Sequence, residues 1–229
     1  YGPHLRPAVR LQVELLRHRL DRFAEVQARE VAAGWRTLRL GHDHGTGLGV
    51  EAQLRAEVRV DRERFGIVGR IDRIDRHPDR GWRVLDYKTS DREQSPEQTH
   101  RAGPRDAKQW VDLQLPLYRT LLRARLGEDD APGGQPVSLG YFNLPKREEA
   151  VGIVSAEWDE SDYAEATATR DAVIGAVRRG VFWPPSETPP RFDDGLDALA
   201  ADGVLGREEL VASSGPKSGA GVGAAPEAE

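Results

Sequence analysis

A chain of 229 residues with no cysteine can form no disulfide, no thiolate zinc site and no cysteine-ligated iron–sulfur cluster. Its net charge of −5 excludes a uniformly basic coat, although binding a polyanion needs only local positive charge. No apolar run approaches the roughly 20 residues that span a bilayer, and no signal-peptide h-region is present, so the expected setting is cytoplasmic with no membrane partner.

In chain order, Val9, Val13, Leu16, Leu20, Phe23 and Val26/Gln27 recur at spacings of three and four and predict an amphipathic helix over 7–34, stopped by Gly34. Residues 35–40 alternate, and the turn-rich stretch 41–49 interrupts the pattern. Strands are expected over 53–60, 65–74 and 82–88; the short turn at 77–81 makes the last two an antiparallel hairpin. The polar segment 90–106, with Pro96 and Pro104, reads as a surface loop. A helix is expected within 107–126, where Pro116 either kinks the interior or sits in the first turn of a helix that begins late. Strands over 137–144 and 150–154 follow, then a helix over 159–179 with Tyr163, Ala166, Val173, Ile174 and Val177 on its apolar side. The stretch from 186 is extended, and 212–229 has too little to bury to be ordered. The chain has no methionine and begins at Tyr1, which reads as a domain, residues 1–185, lacking its amino-terminal part.

The chemistry concentrates at Gly69-Arg70-Ile71-Asp72-Arg73-Ile74-Asp75 and Val84-Leu85-Asp86-Tyr87-Lys88-Thr89. Strand alternation puts Asp86 and Lys88 on one face and Tyr87 on the other, and a hairpin can bring Asp72 beside Asp86. Two carboxylates and the Tyr87 carbonyl are suitable oxygen ligands for Mg2+ or Mn2+. Lys88 is then placed to orient a water or to stabilise charge developing on a phosphorane, so the set suits phosphodiester hydrolysis. Arg-Ile-Asp-Arg-Ile-Asp also reads as a solvated strand face whose ion pairs contribute about 0–1 kcal/mol each, the reading that a single Asp-x-Lys by itself would favour and that the combination of both acids with the lysine outweighs. Gln114 and Tyr118, four apart on one helical face, are positioned to bond a phosphate or the catalytic strands.

Gly-Arg-Ile-Asp-Arg-Ile-Asp, Leu-Asp-Tyr-Lys-Thr and Gln-Leu-Pro-Leu-Tyr, in that order, resemble the RecB-like branch of the PD-(D/E)XK nucleases, and the AddB-type domains of double-strand break repair in particular. The resemblance covers roughly residues 10 to 185. It implies an α/β fold, a restriction-endonuclease-like mixed β-sheet flanked by α-helices, and Mg2+- or Mn2+-dependent cleavage of DNA. It makes Asp72 and Asp86 metal ligands, Lys88 catalytic, and Gln114 and Tyr118 members of a supporting motif. It also implies a helicase subunit or a fused helicase-like region as partner. Such nucleases carry a further glutamate, for which Glu51 is the first candidate, and an amino-terminal histidine that neither His4 nor His18 matches in its surroundings. His42 and His44 lie on a Gly-rich loop and read as solvent-exposed. No iron–sulfur cluster is expected; Phe182-Trp183-Pro184-Pro185 stands where its cysteines would begin, and an apolar closure can replace it. The alternative expectation is a catalytically inactive nuclease-like module that binds DNA or a partner.

Overall fold

In a computed structural model of the chain, residues 6–38, 52–104, 107–127 and 134–181 are described. Helix α1 (Pro7–Ala32) starts on Pro7, whose missing N–H costs nothing in a first turn. Strand β1 (Arg36–Thr37) follows, then β2 (Ala52–Val60), β3 (Glu63–Ile71), β4 (Arg73–His77) and β5 (Gly81–Lys88). A short helix α2 (Pro96–His100) leads through β6 (Arg101–Ala102) and β7 (Gln109–Trp110) to α3 (Gln114–Arg125). Strand β8 (Val137–Asn143), a 3-10 turn (Glu148–Ala150), β9 (Gly152–Ser155) and α4 (Glu160–Arg178) complete the described part. Asp159 and Asp162 form a reciprocal capping box that fixes the start of α4.

The central sheet runs β1-β4-β5-β8-β9, with β5 and β8 parallel and the other neighbours antiparallel. It is a mixed α/β fold in which helices cover a mixed sheet, as the motif order implies. Alternation divides the two faces. Ile74, Val84, Leu139 and Tyr141 join Leu115, Tyr118, Leu121 and Leu122 of α3 and Ala166 of α4 in the larger apolar core. Leu85 and Phe142 point the other way and meet Val26 of α1 and Val151, with Phe23 and Tyr87 packed at the margin. Strands β2 and β3 form a separate two-stranded ribbon in a continuous register from Val60↔Glu63 to Ala52↔Ile71. A lone hairpin is marginal in water; here Ala52, Leu54, Ala56 and Ile71 are buried in the core shared with α3.

Several expectations change. The strand expected over 65–74 is two strands in two different sheets, broken at Asp72: β3 pairs with β2, and only β4 forms the hairpin with β5. The apolar positions change phase there, since Ile71 and Ile74 are three apart with Asp72 and Arg73 between them, but a phase slip alone does not tell a bulge within one strand from a break into two sheets. The segment expected as a surface loop contains α2, β6 and a fully buried His100. The helix expected within 107–126 begins at Gln114, so Pro116 sits in its first turn and needs no kink. The apolar stripe of α1 is buried only at Val26, while Leu16 and Leu20 are 52% and 48% exposed, because only the carboxyl-terminal turns of the helix reach the sheet. In α4, Ala166, Arg170 and Ile174 face inward at intervals of four, leaving Val173 and Val177 exposed.

Beside its apolar seat against Leu85 and Phe142, α1 docks through a buried ion cluster. Arg73 grips Asp75 through Nε at 2.7 Å and Nη2 at 2.9 Å, and Arg83 grips the same carboxylate through Nη2 at 2.7 Å. The two guanidinium groups reach out to α1: Arg73 Nη1 donates to Gln27 Oε1 at 2.6 Å and Arg83 Nη1 to Glu30 Oε2 at 2.6 Å. Arg83 also lies 4.0 Å from the centre of the Trp35 ring. Half of the Arg-Ile-Asp-Arg-Ile-Asp run is therefore a buried ion cluster and not a solvated strand face.

Gly69 permits the ribbon to approach α3. A Cβ there would lie 2.6 Å from Cδ1 of Leu121, itself buried, and 3.6 Å from the Tyr118 ring. Gly69→Ala is expected to lower stability by about 1–3 kcal/mol through overpacking, read as a fall in thermal midpoint. An unchanged midpoint would show that the ribbon can shift at no cost.

Candidate active site

Asp72 stands in the break between β3 and β4, and Asp86 and Lys88 lie near the carboxyl end of β5. Because β5 alternates, Asp86 and Lys88 face α3 while Tyr87 turns towards α1. The parallel neighbour β8 sets Tyr141 opposite Asp86. Lys88 Nζ lies 2.9 Å from Asp86 Oδ2 and 4.6 Å from the centre of the Tyr141 ring. Asp72 Oδ2 accepts the Tyr87 backbone N–H at 2.9 Å, which ties the first acid to the strand that bears the second. From the first turn of α3, Gln114 Nε2 donates to Asp86 Oδ1 at 3.1 Å and to the Tyr118 hydroxyl at 2.9 Å. Five of the six residues singled out from the sequence thus converge: Asp72, Asp86, Lys88, Gln114 and Tyr118. Glu51, like His4, His42, His44 and 182–185, lies outside the described residues; His18 is exposed on α1.

The site sets two carboxylates, Asp72 and Asp86, against one ammonium, Lys88. Burial pushes the Asp86 carboxyl above its ordinary range, and the neighbouring Asp72 adds to this, while the Lys88 ammonium opposes it without cancelling it. A cation shared by the two carboxylates would relieve that penalty, so the donor chemistry fits a hard divalent ion. Mg2+ is commonly held by one or two carboxylates with waters and substrate phosphates completing its shell. Among the described residues no group of three or more acids or histidines is placed to hold a metal. Burial and the nearby acids hold the Tyr118 phenol above its usual value, so it stays a neutral hydroxyl.

A layer behind these residues went unseen in the sequence. His100 is fully buried, and its Nδ1 faces both the backbone oxygen of Asp112 at 3.0 Å and its carboxylate at 3.1 Å. With Nδ1 donating, Nε2 is left to accept the Tyr141 hydroxyl at 2.7 Å. Asp112 Oδ1 also accepts the Gln114 backbone N–H at 2.7 Å. Burial raises the Asp112 carboxyl, but the His100 ring and the Gln114 amide more than offset it, so it is held below the usual carboxylate range. One chain of contacts therefore fixes both the ring beneath Lys88 and the start of the helix that carries Gln114. An aspartate two residues before a helical start is a readable turn signal, because its carboxylate can take the backbone N–H two residues on. His100 gave none, because nothing in its polar neighbourhood predicts burial. His100→Phe leaves buried partners unsatisfied and is expected to cost at least about 1–3 kcal/mol, read as a lower urea midpoint, with His100→Gln recovering part of the loss.

Two acids and a lysine at strand ends, backed by a Gln-x-x-x-Tyr helix on a mixed sheet, define a nuclease framework. The chain belongs to the PD-(D/E)XK nuclease superfamily, whose family model matches residues 2–190. Divalent metals are the general cofactors of that superfamily. Two solved structures are similar in part. The protein SSO0001 is 17% identical over 69% of this chain and 59% of its own, with a TM-score of 0.32. A protein of Eubacterium rectale named "putative exonuclease" is 13% identical over 79% of this chain and 65% of its own, with a TM-score of 0.35. The chain thus spans less than two thirds of either. Among curated proteins none matches it. No helix among the described residues is long and apolar enough to cross a membrane.

Proposed function

We propose that the chain is a divalent-metal-dependent deoxyribonuclease domain of the RecB-like, AddB-like kind, acting in the cytoplasm within a larger helicase–nuclease protein of double-strand break repair. The observation that carries this reading is the meeting of Lys88 and Gln114 on Asp86, on the strand whose Tyr87 amide holds Asp72. The motif order supports the RecB-like branch and the helicase partner. The nuclease domain would extend over 1–185; the segment 186–229, expected from the sequence to be extended with 212–229 unordered, lies outside the described residues.

Asp72 and Asp86 would hold Mg2+ or Mn2+, with the Tyr87 carbonyl and Glu51 as further oxygen donors. When bound, the ion polarises a phosphoryl oxygen and lowers the pKa of a coordinated water. The protein supplies the rest. Lys88 is held against Asp86 and over the Tyr141 ring, so its ammonium has a restricted range and can donate to the charge that grows on the phosphoryl oxygens. Gln114 fixes the Asp86 oxygen that Lys88 does not touch, and Tyr118 orients the Gln114 amide.

The test is degradation of single- and double-stranded DNA with Mg2+ or Mn2+ by the wild type and by Asp86→Asn. Cleavage that chelation abolishes and Asp86→Asn lacks is expected; equal cleavage by both would overturn the site. A second reading, an inactive module that binds DNA or a partner, is favoured by the presence of only two converging carboxylates among the described residues. DNA binding without cleavage by either metal would select it.

A further inference from the structure

The β2–β3 ribbon has two unlike faces. Its inner face, with Leu54, Ala56 and Ile71, is buried in the core shared with α3. Its outer face is exposed throughout and carries Gln53, Arg55, Glu57 and Arg59 on one strand and Arg64, Gly66, Val68 and Arg70 on the other. That is four arginines against a single glutamate in a chain whose net charge is −5. The register sets Arg59 directly opposite Arg64, a like-charge pair that costs stability in a sheet and that a purely structural ribbon has no reason to keep. Glu57 pairs with Arg64 at 3.2 Å, which leaves the face net positive. Opposite Glu57, Gly66 has no side chain: a Cβ there would lie 3.3 Å from Nη2 of Arg55, so the glycine lets that guanidinium lie low over the ribbon. From Arg64 to Arg70 the face runs about 20 Å at the usual strand rise of ~3.4 Å per residue. Its end is set by covalent structure, since β3 stops at Ile71 and the next residue is Asp72.

We propose that this outer face is a track for the phosphodiester backbone of DNA, leading to the candidate site at the foot of the ribbon. The inference rests on the nuclease reading for its direction, although not for its contacts. Arginine forks grip phosphate oxygens without reading bases, so the track positions DNA and confers no sequence preference. The exposed Val68 stands in the β3 row opposite Arg55 and offers only apolar contact. The opposing candidate, an acidic protein segment, would meet the same charge but would leave DNA affinity untouched.

The experiment measures binding of labelled single-stranded and duplex oligonucleotides of about 30 nucleotides by fluorescence anisotropy in EDTA, using the full chain with Lys88→Ala so that nothing is cut. Adding Arg55→Gln, Arg59→Gln and Arg64→Gln together is expected to weaken binding at least about tenfold at low salt, and to reduce the slope of log K against log salt by about 2–3. The form of DNA that loses more is the one the track carries; loss in either supports the proposal. A charge-matched control, Arg10→Gln with Arg17→Gln and Arg147→Gln, removes exposed arginines elsewhere and should change the affinity by less than about twofold. Arg55→Gln alone, expected to reduce the slope by just under about one, serves if the triple variant melts early. Unchanged affinity and slope in the ribbon variants, or an equal loss in the control, overturns the proposal. Failure of the nuclease reading shows separately, as a wild type that binds through the ribbon but cuts nothing with Mg2+ or Mn2+.

Discussion

Lys88→Ala is expected to lower the rate constant for metal-dependent DNA cleavage by about 10²–10³-fold, the usual loss when one preorganised donor to a developing charge is removed, about 2.7–4 kcal/mol of barrier. The effect should fall on kcat more than on KM, because the ammonium's advantage is realised where phosphoryl charge grows and not in the ground state. Lys88→Arg should rescue little. A planar guanidinium cannot sit as a compact charge 2.9 Å from Asp86 and over the Tyr141 ring at once. Two measurements separate the roles at the site. Single-turnover cleavage reports the loss of the lysine. The thermal shift caused by Mg2+ or Mn2+ reports the carboxylates, and it should persist in Lys88→Ala and disappear in Asp86→Asn. Cleavage by Lys88→Ala at the wild-type rate would remove the lysine from the mechanism.

Asp75→Asn is expected to be the most destabilising of the substitutions considered, by about 3–5 kcal/mol, the range seen when one member of a buried ion cluster is removed. Asp75 is fully buried, Arg73 and Arg83 are only 1% and 6% exposed, and an amide would leave the two guanidinium groups facing each other without their shared counter-charge. For a chain of this size the thermal midpoint should fall by about 6–20 °C. The pH dependence has a definite sign. Burial alone would raise the Asp75 carboxyl, but its bonds to Arg73 and Arg83 prevail and hold it below its ordinary value of 3.8. A carboxyl depressed in the folded state contributes stability that is fully present above the unfolded value and is lost as pH falls through the folded one. Urea unfolding should therefore show wild type losing part of its margin over Asp75→Asn as pH drops below about 4. A gap of less than about 1 kcal/mol at pH 7 would mean that the cluster contributes no more than surface pairs do. Asp75 faces α1 and the site faces α3, so folded Asp75→Asn at low temperature should keep cleavage within a few-fold of wild type.

The two substitutions mark where the sequence was legible. Asp86, Tyr87 and Lys88 could be assigned to faces from alternation alone, because a strand has a period of two whatever surrounds it. Gln114 and Tyr118 could be paired by helical spacing, and the three motifs together pointed to the nuclease superfamily whose family model matches the chain. Asp75 could not be read the same way. In one dimension Arg73, Asp75 and Arg83 are alternating charges, the pattern of a wet strand, and only the arrival of Gln27, Glu30 and Trp35 from α1 makes them interior. The same holds for His100, which lies in a polar stretch and is buried because Asp112 and Tyr141 close on it from two other elements.

By itself the sequence picked out the residues proposed to carry the chemistry, since periodicity and residue type are local properties, and its motifs, through the family they resemble, implied the mixed sheet with helices around it. Tertiary structure alone decided that the strand expected through the first motif divides at Asp72 between two sheets. Residues up to Ile71 follow β2 into the ribbon over α3, and those from Arg73 follow β5 into the central sheet. The physical reason is that pairing partners are chosen by burial on either side of the break: Gly69 and Ile71 pack towards α3, whereas Arg73 and Asp75 need Arg83 and α1. The three-residue step from Ile71 to Ile74 marks the place locally but not the partner each side takes, and that division is what sets Asp72 beside the strand that carries Asp86 and Lys88.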